Sequence, residues 1–355
     1  QLFGSQEQAG HLVISDAMFQ KNTKMETRPR LRIDAATGSA AAGGKFDVAH
    51  ISTGERFHFS LTWLGDEAAI SETSAVEQML SAMQNGEIRL GAQKSNGFGH
   101  VLLSVKKRVF DLQEEKDREA WLKDSADGAP IELPELKGGN EVIFTLFGHT
   151  DSVLVKGAAA EQADDGSYVR NLQEAGQPVI PGSSIKGVIR ARASMIAKWK
   201  GLPDSAMDDI FGRESGKEDN GVAGRLRFED CRMSSDETQK ITRLRINRFT
   251  GGVIRQGLFR EEPVCSKVSL RITAPADCPV GCGLLVYALR DLGLNLVNLG
   301  SGDAIGRGRI STDSIRIETP NGKAASITFD EDRNCTVKDP SGLIAGWLRE
   351  LEVRG

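Results

Sequence analysis

Two groups of residues in this chain could do chemistry. The first is in VIPGSSIKGVIRARAS (179–194), where Pro-Gly-Ser-Ser runs straight into a basic helical stretch. The first N–H groups of a helix have no internal partners and carry partial positive charge. Ser183, Ser184 and Lys186 at such a start, with Arg190 one turn on, make an anion site for a phosphate. The plain alternative is a capped helix with solvated basic residues. The segment is not a Walker loop, because Gly187 follows the lysine where Ser or Thr is required. The second group is the acidic stretch AEQADDGSYVRN, with Asp164 and Asp165 adjacent and Arg170 five residues beyond Asp165. A carboxylate there could bind a divalent cation or take a proton from a ribose 2′-OH; by composition alone it is also a solvated loop.

Two further segments could line the same ligand. INRFTGGVIRQGLF reads as a projecting hairpin, with Arg248 and Arg255 placed for phosphates and Phe249 for stacking on bases. GSGDAIGRGRI lacks dinucleotide-binding spacing, but Gly306 and Gly308 would let the backbone approach a ligand. Arg307 and Arg309 add charge there. Cys278 and Cys282 form a CxxxC with no second close pair, so zinc is not expected.

The elements that must position these residues come twice. LFG (2–4) returns as IFG (210–212), and GHLVISDAM from Gly10 as GRLRFEDCRM from Gly224. RIDAATGSAAAGGKF from Arg32 returns as RINRFTGGVIRQGLF from Arg245, and LGAQKSNGFGHV from Leu90 as LGSGDAIGRGRI from Leu299. The blocks keep their order, which indicates a duplicated domain. The first copy lacks the front half that carries PGSSIKG in the second, so either the chain is part of a longer one or another chain completes that domain. The division expected is a partial first unit at 1–112, a polar linker at 113–139, a complete second unit at 140–318 and an extension at 319–355.

Within the second unit EVIFTLFG reads as a strand and 157–178 as a loop. Ser183 or Ser184 reads as the helix cap. Ile185, Val188, Ile189, Met195, Ile196 and Trp199 form the expected core stripe of that helix. KVSLRITAP is a strand, and Leu284–Leu292 mark a second helix, whose first-copy counterpart opens on a capping box at Ser74–Glu77. The order strand, helix, strands, helix, strand predicts an α+β fold of ferredoxin-like, RRM-like type, whose open sheet suits single-stranded RNA.

The net charge of −4 rules out nucleic-acid binding by bulk charge and leaves it to local basic patches. No apolar run is long enough to span a bilayer. Five scattered cysteines suit a reducing cytoplasm.

Taken in order, PVIPGSSIKGVIRA, IFG, GRLRFEDC, INRFTGG…GLF and LGSGDAIGRGRI resemble the RAMP superfamily, the RNA-binding backbone subunits of type III CRISPR effectors. Two units in one chain resemble the fused type III-D and type III-E proteins. The resemblance implies tandem RAMP domains with a "thumb" hairpin and a glycine-rich loop. It implies binding of a guide crRNA and a target single-stranded RNA, alongside other RAMP units or effector subunits. It also implies target cleavage at Asp165, with Asp164 as its neighbour and Mg or Mn as the cation, and gives Arg170, Ser183, Ser184, Lys186 and Arg190 to RNA. Three other roles stay open: a non-catalytic crRNA scaffold, a pre-crRNA processing unit with His149 as the residue to test, and an assembly role without RNA.

Overall fold

The structure is a computed structural model that describes residues 2–34, 39–65, 70–123, 128–136, 139–163, 166–215, 220–234 and 238–353. The helices are α1 (Ile70–Gln84), α2 (Glu115–Leu122), α3 (Gly182–Trp199), α4 (Asp204–Phe211), α5 (Pro279–Gly293) and α6 (Leu343–Val353). The fold is mixed α and β, with mostly antiparallel pairing. No helix among the described residues is long and apolar enough to cross a membrane.

The chain divides into two compact units. The first holds 1–18, 58–94 and 98–139. Here Glu72, in the first turn of α1, ties the paired strands Leu12–Ile14 and Leu61–Trp63 to that helix. Its Oε2 lies 2.9 Å from both His11 Nδ1 and Trp63 Nε1. The indole and imidazole bonds hold this carboxyl well below the usual carboxylate range. The helix begins at Ile70, so Ser74 lies inside it and does not cap it. The stretch 113–139 is more than a polar linker: it contains α2, and Ala129–Pro130 pairs with Lys106–Lys107.

The second unit takes 140–355 together with two pieces from early in the chain, 19–57 and 95–97. Its central sheet has six strands: β1 (Glu141–Val153), β2 (Arg227–Phe228), β3 (Val264–Pro275), β4 (Ser311–Glu318), β5 (Ala324–Phe329) and β6 (Cys335–Lys338). Their order is β2-β3-β1-β4-β5-β6, and every neighbouring pair is antiparallel. β1 and β3 alternate buried and outward residues, as strands covered on one face must. Val142, Phe144, Leu146, Leu270 and Ile272 meet Ile185 and Ile189 of α3 and Leu285 and Leu289 of α5 in one core.

α3 buries Gly182, Ile185, Ile189, Ala193 and Ala197. That corrects the expected stripe at its far end: Met195 and Trp199 are exposed, Trp199 at 82%. Small alanines let α3 pack closely on its neighbours, and the bulky residues turn outward. The helix stops where expected. Gly201 takes φ +75°, and Leu202 N–H reaches the Ala197 carbonyl, a Schellman ending.

The repeat seen in sequence is also present in geometry. One hairpin (Met25–Ile33 with Ala40–Ile51) pairs Arg30 with Phe46, slips register after Leu31 and resumes at Ile33–Ala40. The other (Ile241–Ile246 with Val253–Glu262) pairs Arg243 with Phe259, slips after Leu244 and resumes at Ile246–Val253, each position 213 residues later. α1 and α5 begin and end 209 residues apart, as do the 3-10 turns Lys94–Asn96 and Asp303–Ile305.

Candidate nucleic-acid interface

The start of α3 differs from the sequence expectation. The helix begins at Gly182, its N-cap is Pro181, and neither serine caps it through its side chain. The N–H of Gly182 meets a carboxylate from within the chain: Asp230 Oδ1 accepts from it at 2.7 Å. A Cβ at Gly182 would strike the Phe228 carbonyl, so the approach requires glycine. Ser183 and Ser184 are half-buried in the first turn.

One turn on, Lys186 is half-buried and its Nζ lies 3.3 Å from Ser95 Oγ, in the glycine-rich turn of the first repeat. Among the described residues no carboxylate pairs with this ammonium. Burial, then the charges of Arg190 and Arg30, push it down to about 8. Arg190 reaches the Gly212 carbonyl at 2.9 Å and lies 3.8 Å from Asp208. Arg30 is itself held below the ordinary arginine value by burial and by Arg28.

The acidic stretch is a hairpin and not the loop read from its composition. Lys156–Ala163 pairs with Gly166–Asn171, the last register pair being Ala163–Gly166. Asp164 and Asp165 lie outside the described residues. Pairing with a strand some 90 residues away outweighed the local composition that suggested a loop. Val169 and Arg170 pair in parallel with Glu261 and Glu262, so this hairpin and the hairpin 241–262 form one four-stranded sheet. Parallel pairing places the Ala163–Gly166 end of the acidic hairpin toward the same end of the sheet as Val253. Arg170 is at the root, four strand steps (~13 Å) from Gly166. Its Nε donates to Glu262 at 2.9 Å, and Thr238 holds the other oxygen of that carboxylate. Burial opposes ionisation of Glu262, but these partners outweigh it and keep the carboxyl below its ordinary value.

The tip 247–252 is presented to solvent. Phe249 is fully exposed, Arg248 and Arg255 are exposed, and Asn247 Oδ1 accepts from Phe249 N–H to close the turn. In the glycine-rich turn, Gly306 is exposed with φ +86°, and Gly308, at φ +74°, packs against the Leu299 carbonyl. Arg309 is exposed. Arg307 is buried and donates to Glu261 at 2.7 Å, the carboxylate that also accepts from Arg243. It braces the turn to the hairpin root rather than facing solvent. His149 is exposed on β1, 3.8 Å from Asp151. Cys278 and Cys282 are buried, and burial raises both thiols.

A second cluster was invisible in the sequence reading. Arg28, on the first hairpin, is buried. Its Nη1 and Nη2 reach the two oxygens of Asp230 at 3.1 and 2.8 Å, and Nη2 also donates to Glu174 at 2.7 Å. His50 Nε2 lies 2.7 Å from the same Glu174 oxygen, and Glu26 stands 4.0 Å from His50. Arg232 faces Glu174 at 3.6 Å and donates to Thr53. Burial alone would raise Glu174, but Arg28 and His50 hold it below the usual carboxylate range. No local motif marks these residues, because three distant stretches of chain supply them.

These features define an α+β protein that presents a basic, aromatic-tipped hairpin and a charge-crowded helix start, an arrangement suited to a sugar–phosphate backbone. The sequence model of the RAMP superfamily matches residues 1–101 and 161–311, more than half the chain, and the chain belongs to that superfamily. Membership gives it a CRISPR-associated, RNA-binding role. No curated protein matches the chain significantly.

Proposed function

We propose that the chain is a backbone subunit of a type III CRISPR effector, a fused two-unit protein of III-D or III-E type working in the cytoplasm. It binds the phosphates of a guide crRNA and cleaves the paired target RNA at Asp165, with Asp164 beside it in sequence, in its second unit. The observation that carries the binding is Lys186, a half-buried ammonium beside Arg190 and without a carboxylate partner among the described residues. Such a cation is unfavourable alone, and a phosphate at it would offset the desolvation. The strand order β2-β3-β1-β4, with α3 and α5 packed on it, supports a ferredoxin-like unit, and the matched hairpins and glycine turns support a tandem pair.

Cleavage is supported by the shared four-stranded sheet, whose strands lead to Ala163 and Gly166 and to the Phe249 tip. Phe249 displaces a target base, and the twisted backbone brings the 2′-OH in line with its own phosphate. Asp165, with Asp164 beside it, accepts the proton, which supplies ~10²- to 10⁴-fold. The products are a 2′,3′-cyclic phosphate and a 5′-hydroxyl. These hard carboxylate oxygens suit Mg or Mn, which when bound would screen charge at the phosphate. A non-catalytic scaffold is favoured by one observation: Arg170 is engaged by Glu262.

Two measurements test the proposal. Lys186→Ala with Arg190→Ala should weaken RNA binding and lower its salt slope by ~0.7 per lost phosphate contact; an unchanged slope removes the seat. Asp165→Ala in the guide-loaded complex should abolish the cut opposite this unit and keep target binding, while an unchanged cut would leave only the scaffold.

A further inference from the structure

Residues 95–97 belong by sequence to the glycine-rich turn of the first repeat, yet they group with the second unit. Two glycines let this turn sit against the start of α3. Gly97 takes φ +93°, and a Cβ there would strike the Asp230 carboxylate. A Cβ at Gly182 would come within 3.1 Å of the Asn96 backbone as well as striking the Phe228 carbonyl. Asp230 is also the acceptor of the Gly182 N–H, so the turn, the carboxylate and the helix start are in close contact.

That contact decides what Ser95 meets. Its Oγ lies 3.3 Å from Lys186 Nζ, one helical turn beyond Gly182. An ammonium has three donors and no acceptor, so Lys186 donates and the serine oxygen accepts. The serine O–H is left to donate elsewhere, as are the other two N–H bonds of the ammonium. Among the described residues neither side chain has a second hydrogen-bond partner, and both are half-buried. A place where only donors converge calls for a ligand that only accepts, and a phosphate oxygen is one. Accepting from an ammonium also polarises the hydroxyl and makes it a stronger donor. The second repeat offers a contrast. Ala304 stands 209 residues after Ser95 and has no hydroxyl, and at Gly306, the counterpart of Gly97, a Cβ would meet nothing within 4 Å among the described residues.

We infer that Ser95 is a ligand-binding residue of the Lys186 seat, donating its O–H to the phosphate that Lys186 holds. Gly97 is the positioning residue that brings it there. The seat is composite: the turn of one repeat supplies the hydroxyl, and the helix of the next supplies the charge.

This inference rests on the proposed RNA-binding role, and one experiment separates the two. The probe is a labelled single-stranded RNA, titrated at several salt concentrations against the full chain. Ser95→Ala removes a hydroxyl and no charge. It should weaken binding about 10-fold and leave both the salt slope and the melting temperature unchanged. Lys186→Ala should weaken binding and lower the salt slope by ~0.7. In a Lys186→Ala background Ser95→Ala should still cost severalfold, because the hydroxyl touches the ligand itself. A loss that vanishes in that background would show that Ser95 only orients the ammonium, and the direct contact would be wrong. Gly97→Ala pushes the turn off Asp230 and should weaken binding, but add nothing once Ser95 is alanine; additive losses overturn its positioning role. If Lys186→Ala weakens binding and Ser95→Ala does not, the serine is refuted while the RNA-binding role stands. If neither variant changes binding, the seat itself is wrong.

Discussion

Replacing the buried Arg28 by alanine should loosen the second unit. The guanidinium is 3% exposed and neutralises two carboxylates, Glu174 at 5% and Asp230 at 11%. Removing one partner of a buried ion pair costs about 3–5 kcal/mol, because the remaining charge stays buried without compensation. Asp230 would keep the Gly182 N–H, and Glu174 would keep His50 and Arg232, which places the expected loss near the lower end, about 3 kcal/mol. A unit of roughly 260 residues shifts by about 2 °C per kcal/mol, so its melting temperature should fall by about 6 °C at pH 7. Thermal unfolding followed by circular dichroism measures the shift. Hydrogen exchange across 25–51 detects the alternative, in which only the hairpin undocks. The pH dependence has a defined sign. Glu174 sits below its unfolded value, so its stabilisation is present above about pH 4.5 and is lost as pH falls through the lower folded value. The gap between wild type and Arg28→Ala should therefore narrow in acid. An unchanged melting temperature together with unchanged amide protection at pH 7 would refute the lock.

Lys186 titrates at about 8 instead of 10.5, so RNA affinity should decline as pH rises through about 8, and Lys186→Ala should flatten that step in a binding titration. Because the folded value lies below the unfolded one, the same group favours folding more as pH rises from about 8 toward 10.5. Phe249→Ala should leave the melting temperature untouched and cost about 1–3 kcal/mol of RNA binding if a base stacks on the ring, read by equilibrium titration. Leu146→Ala, at a fully buried site, should cost about 2–5 kcal/mol in chemical denaturation, whereas Trp199→Ala should stay within about 0.5 kcal/mol.

The Trp199 comparison shows where periodicity misleads. Apolar residues recur along α3 at helical spacing, yet the buried stripe runs through Gly182, Ala193 and Ala197. A hydrophobicity pattern weights the large residues, while close packing chose the small ones. The acidic hairpin misled in the opposite direction: a composition of Ala, Gln, Asp and Gly reads as coil, but its pairing with Glu261 and Glu262 comes from a strand some 90 residues away. Sequence spacing points Arg307 and Arg170 toward RNA because it does not reveal their carboxylate partners, Glu261 and Glu262.

By itself the sequence determined what is local or repeated: the hairpin around 247–252, α5, the glycine-rich turns, and the duplication that ties Arg30–Phe46 to Arg243–Phe259. Backbone preference and side-chain periodicity act over a few residues, and a repeat writes them twice. Only the tertiary structure decided which charges meet. Arg28, Glu174 and Asp230 come from stretches up to 202 residues apart, and their meeting depends on how the first hairpin lies against the second unit. The tertiary structure also decided that Asp230 accepts from Gly182 N–H at the helix start and that Ser95 meets Lys186 one turn along.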